Sequence, residues 1–153
     1  MNALVALAFF MTASAAGAAP DASSVESALH AYQGLVAARD SGGIAAMYAP
    51  DGELLQPGMD PLKGPEAIRR FLDSFGDVRI ESVSMQADTT EVFGDHALQW
   101  GAYAQRAAPP GQPAADYKGR FVVEWTRQAK GPWLIRRLLV QPSPPPPRNP
   151  DAH

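Results

Sequence analysis

The side chains able to do acid–base or metal chemistry are few and poorly grouped. The chain has three histidines, His30, His96 and His153, and no cysteine. Histidines so scattered make no metal-ligand spacing, and without thiols there is neither a disulfide framework nor a thiolate site. Asp95 and His96 are neighbours in sequence. On a strand such neighbours point to opposite faces, so the pair predicts a turn rather than an acid–base couple. Asp51, Glu53 and Asp60 are a carboxylate group placed near the expected pocket mouth. Paired carboxylates can divide acid and base roles, but a polar loop ahead of a helix accounts for the same three residues. No Gly-rich phosphate loop, G-x-S-x-G elbow or H-E-x-x-H motif occurs. No cofactor or metal is therefore expected, and the catalytic residues, if any, are left unassigned.

Val25, Ala28, Leu29, Tyr32, Leu35 and Val36 recur at helical spacing and form one apolar stripe. Ser23 to Glu26 fits a capping box, and Ser41-Gly42-Gly43 is expected to end this first helix. A short second helix carries Ile44, Met47 and Tyr48, and Pro50-Asp51-Gly52 stops it. Glu53 to Gln56 reads as a short strand. A third helix opens at Gly64-Pro65, where proline's missing N–H is harmless, with Ile68, Phe71, Leu72 and Phe75 as its stripe.

From Val78 the period changes to two. A strand from Val78 to about Ala87 precedes Glu91 to Arg106, which is interrupted at Gly94-Asp95 and reads as two short strands or a bulged hairpin. Residues 107–115 are a Pro/Gly/Ala loop. Phe121, Val123 and Trp125 then alternate with Arg120, Val122 and Glu124, and a last strand spans Trp133 to Val140. Helices followed by a run of antiparallel strands define an α+β domain.

The ends differ from the middle. Ala3 to Met11 is a short apolar run followed by small residues, and Ala16-Gly17-Ala18 fits a cleavage site. Residues 1–18 are thus expected to be a signal peptide, too short to span a bilayer, which places the protein in the periplasm or outside the cell. The domain is expected over 23–141, and the proline-rich residues 142–153 as a disordered tail. A net charge of −3 without blocks of one sign argues against a nucleic-acid partner and against a basic membrane-surface helix.

Three stretches carry a resemblance. They are Tyr32 to Asp40, Met47 to Gly52, and Lys63 to Ile68, joined by the closing hairpin from Gly119 to Arg137. With the order of elements, they resemble the SnoaL-like and ketosteroid-isomerase-like branch of the nuclear-transport-factor-2-like superfamily, over roughly residues 23–140. The resemblance implies a cystatin-like cone: a curved antiparallel sheet wrapped around N-terminal helices, with a pocket at its open end and pairing into homodimers through the outer sheet face. Ketosteroid isomerase needs a carboxylate base, an oxyanion tyrosine and a protonated acid. The resemblance puts Tyr32 at the tyrosine, Gln56 at the base and Val123 at the acid. Glutamine cannot take the proton at neutral pH and valine has none to give, so that chemistry is not expected here.

The pocket candidates are Tyr32, Tyr48, Gln56, Trp100, Phe121, Val123 and Trp125. Trp100, Tyr103, Trp125 and Trp133 are aromatic enough to floor an apolar pocket, and equally suited to filling a core. Three classes of function stay open: binding a small apolar or amphipathic molecule; an isomerase, cyclase or hydrolase using Tyr32, Gln56 and a carboxylate such as Glu53; and a dimerising or assembly domain.

Overall fold

A computed structural model describes residues 20–144. Three helices, α1 (Pro20–Ala38), α2 (Ser41–Ala46) and α3 (Pro65–Asp73), accompany six strands. The strands are β1 (Tyr48–Leu55), β2 (Leu62–Lys63), β3 (Arg79–Phe93), β4 (His96–Ala108), β5 (Ala115–Thr126) and β6 (Leu134–Pro142). They form one curved, unclosed sheet in the order β2-β1-β6-β5-β4-β3. All neighbours are antiparallel except β1 and β6, which run parallel.

The first helix begins at Pro20, earlier than its sequence suggests, so Ser23 to Glu26 lies inside it rather than at its cap. Ser24 Oγ instead donates to the Asp21 carbonyl and accepts from Trp133 Nε1 at 2.8 Å. Ser41-Gly42-Gly43 opens α2 instead of closing α1, because the Asp40 side chain accepts from Gly43 N and serves as N-cap. Pro50-Asp51-Gly52 does not end a helix either. It lies within β1, whose pairing with β6 shifts register between Tyr48 and Glu53. The stretch around Gly94-Asp95 is the hairpin turn between two long strands, and β3 bulges between Ala87 and Thr89. Opposite this bulge sits Gly101, where a Cβ would come 1.9 Å from the Gln86 carbonyl oxygen. Bulge and glycine together let the sheet bend over the helices.

The concave face of β5 carries Phe121, Val123 and Trp125, all buried, while Val122 faces out. They join Val25, Leu29 and Tyr32 from α1, Ile68 from α3, and Ile135 and Leu138 from β6 in one core. Gln99 is also fully buried there; it accepts from Trp125 Nε1 at 3.1 Å and donates to Thr90 Oγ1 at 3.0 Å. Arg127 closes this end of the molecule. Its guanidinium lies 4.4 Å from the Trp133 ring centroid and pairs with Asp21 at 3.1 Å and Asp95 at 3.2 Å. Along the free edge of the sheet, Gln33 of α1 accepts from Met85 N, satisfying one edge N–H.

Candidate functional site

Since α1 fills the concave face at the end held by Arg127, the other end stays open. There the second half of α1 (Tyr32, Val36), α2 (Ile44) and α3 (Phe71, Leu72) face β3 to β6 across a cavity of about 590 Å³. The opposing wall includes Met85, Tyr103, Phe121 and Leu138. The volume lies within the range of small-molecule sites, and the mostly apolar lining is typical of them. Polar groups gather at three places, one of them the opposite wall with Tyr103, Gln105 and Tyr117. Tyr32 and Gln56 project into the cavity from α1 and from the residue after β1, whereas Arg39, Ser41 and Asp73 lie where α1, α2 and α3 meet. Tyr117, Pro109 and Pro110 line the cavity near the β4–β5 connection.

The phenols are held neutral. Burial raises the pKa of Tyr32, with Tyr48 acting weakly in the opposite sense. Tyr48 is pushed well above the ordinary phenol value, first by burial and then by Tyr32 beside it. The Tyr48 hydroxyl is buried beside Tyr32 and makes no regular hydrogen bond among the described residues. Tyr103, partly buried in the opposite wall, is also raised by burial. A site of this kind donates hydrogen bonds from its phenols and supplies no thiolate, imidazole or buried carboxylate.

Of the residues singled out by sequence, Tyr32, Gln56 and Phe121 come together on the cavity. Tyr48, Val123 and Trp125 do not line it. They are buried in the adjoining core, Trp125 being tied up by Gln99. Trp100 does not line it either: it faces the convex side, in one cross-strand row with the exposed Val122. Tyr103 does line it, while Trp133 is buried in the core. Strand alternation disposes of the carboxylate group. Leu54 points inward, so Glu53 points outward, where it faces Lys63 and Arg137 at 4.0 and 3.7 Å. Asp51 pairs with Arg136 at 3.8 Å, and Asp60 is exposed. Asp95 is in the β3–β4 turn, His96 opens β4, and His30 is exposed on α1. No group of three histidines or carboxylates able to hold a metal occurs among the described residues.

Sequence reasoning missed Arg39, Asp73, Met85 and Tyr117. Met85 stands at an inward position of an alternating strand and was in principle legible. Tyr117 shares the inward parity of Phe121 on β5 and was equally legible, whereas Asp73 closes α3 and Arg39 sits at a left-handed turn, places that leave no apolar periodic signal.

No curated protein matches the chain. A ketosteroid isomerase-like protein from Erwinia carotovora atroseptica superposes with a TM-score of 0.75 at 18% identity, covering 83% of this chain and 99% of that one. A conserved protein from Planctomyces limnophilus gives 0.71 at 18% identity, covering 80% and 98%. An NTF2-like protein with a cystatin-like fold from Novosphingobium aromaticivorans gives 0.62 at 19%, covering 77% and 79%. At such identities these structures establish the nuclear-transport-factor-2-like fold and nothing of the activity. The SnoaL-like domain family matches residues 28–134, most of the described chain, and the protein belongs to that family.

Proposed function

We propose that this SnoaL-like domain is exported and holds a small apolar or amphipathic molecule in its open-ended cavity. The observation that carries the reading is the cavity itself, about 590 Å³ of mostly apolar lining with Tyr32 and Gln56 as inward polar groups. An enzyme built on Tyr32, Gln56 and Glu53 would need Glu53 inside, and its place on β1 turns it to the convex face. Export rests on the apolar and small-residue pattern of residues 1–18, which lie outside the described residues.

Native mass spectrometry of the protein isolated from a periplasmic or culture extract, paired with titration of the neutral fluorophore N-phenyl-1-naphthylamine, tests binding. Val83 of β3 lines the cavity, and a co-purifying molecule, or saturable fluorophore uptake, should be lost in a Val83→Trp variant that fills it while keeping its circular dichroism spectrum. A ligand-free protein that takes up no fluorophore would refute the reading.

A second reading concerns pairing. On the convex face Trp100, Val122, Leu139 and Leu55 stand opposite one another across β4, β5, β6 and β1, and Val122 and Leu139 are exposed. The next row is ionic but internally neutralised, Glu124 with Arg137 at 2.6 Å and Arg137 with Glu53 at 3.7 Å. An apolar stripe beside satisfied charges suits a self-complementary homodimer interface. Sedimentation should show a dimer that Val122→Glu with Leu139→Glu converts to monomer; a monomeric unaltered protein at micromolar concentration would remove this reading.

A further inference from the structure

The inference here rests on the cavity-binding reading and specifies the ligand class. Helix α1 ends in a Schellman motif, in which Arg39 N donates to the Val36 carbonyl and Asp40 N to the Leu35 carbonyl. The residue at the turn of that motif has a left-handed backbone, a conformation that glycine takes freely and residues with a Cβ take at a penalty. Here it is Arg39, with φ of 57°. Non-glycine residues in such conformations concentrate at functional sites.

The side chain lines the cavity and donates from one nitrogen to the Gly76 carbonyl. Arg39 has no carboxylate partner among the described residues. A guanidinium carries five N–H donors, so several stay available. Of the acids nearby, Asp73 accepts from Ser41 Oγ at 2.5 Å and faces Arg69 at 3.7 Å, Asp40 caps Gly43 N, and Asp77, next after Gly76, is exposed. Asp73 also lines the cavity, so its charge opposes an anion there in part.

We infer that Arg39 anchors the carboxylate of an amphipathic acid whose apolar body fills the cavity. Arginine suits this role because its planar fork matches a carboxylate and its charge does not titrate. The apolar walls then select the body of the ligand and the cation its head, which distinguishes the site from a pocket for neutral hydrophobes.

The test exploits the backbone. Arg39→Gly removes the guanidinium while giving the left-handed position the residue that fits it best, so loss of the side chain is not confounded with misfolding. Isothermal titration of the full protein with decanoate and with decan-1-ol should show decanoate binding more tightly. Arg39 is exposed at the cavity rim, so Arg39→Gly should weaken decanoate about three- to fivefold, the size of one solvent-screened ion pair, with decan-1-ol unchanged and the melting temperature kept. Equal binding of acid and alcohol, or decanoate binding indifferent to Arg39→Gly, would overturn the anchor and leave the cavity reading standing. Failure of both probes, together with failure of the neutral fluorophore, would overturn both.

Discussion

Replacing Phe121 by alanine tests the facing of β5, and with it the floor of the cavity. The ring is 1% exposed and belongs to the core, yet one side of it borders the cavity. Truncating a buried phenylalanine costs about 3–5 kcal/mol, through lost transfer free energy and the void left behind. At position 121 the new space would merge with an existing cavity rather than form a sealed hole, so the expected loss is toward the low end, about 3 kcal/mol. For a domain of this size that lowers the melting temperature by about 10 °C. The next residue is the control: Val122 is 37% exposed on the opposite face, and Val122→Ala should cost under about 0.5 kcal/mol. Thermal and urea unfolding followed by circular dichroism measure both. An unchanged melt for Phe121→Ala, or an equal loss for the two variants, would show the facing to be wrong.

Other perturbations follow from particular contacts. Burial raises the pKa values of Tyr32 and Tyr48. The folded state therefore holds their protons after the unfolded chain has released them, and stability should fall as pH rises past about 10. Tyr48→Phe deletes a buried hydroxyl without a hydrogen-bond partner; it should be neutral or stabilising by up to about 1 kcal/mol at pH 7 and should flatten the alkaline decline, as urea unfolding across pH would show. Gln99→Leu leaves the buried Trp125 indole N–H unpaired and should cost about 1–3 kcal/mol in urea unfolding. Pro142 belongs to β6 and Ser143 N donates to the Lys118 carbonyl. A chain ending at Pro144 should therefore melt with the full protein, whereas one ending at Gln141 should melt earlier.

Where one period held over a whole element, the sequence was readable. The α1 stripe and the alternation of Phe121, Val122 and Val123 predicted the faces that the structure shows. The glycine–proline opening of α3 was equally clear. β4 was not, because its neighbours invert the usual rule. Gln99 is fully buried and Trp100 faces out. A glutamine can be placed inside only when partners await it, and Thr90 and Trp125 come from two other strands. β1 was read short because Pro50-Asp51-Gly52 is turn chemistry locally, and only pairing with distant β6 draws it into the sheet. The polar end of the candidate site was hidden for a related reason: Arg39 occupies a position where local preference asks for glycine.

The parallel pairing of β1 with β6 bears on how the molecule is made. Leu54 finds Leu138 as its neighbour, so the earliest strand waits for the latest. Helix α1 waits as well, since Phe121, Trp125 and Ile135, which share its core, all belong to the last third of the chain. A growing polypeptide lacks these partners until β5 and β6 are made, and contacts that close over such long loops make for slow folding. Until β5 and β6 have been made, the greasy stripe of α1 has only α2, α3 and β3 to rest on, and whatever handles the nascent chain meets a partly uncovered apolar surface.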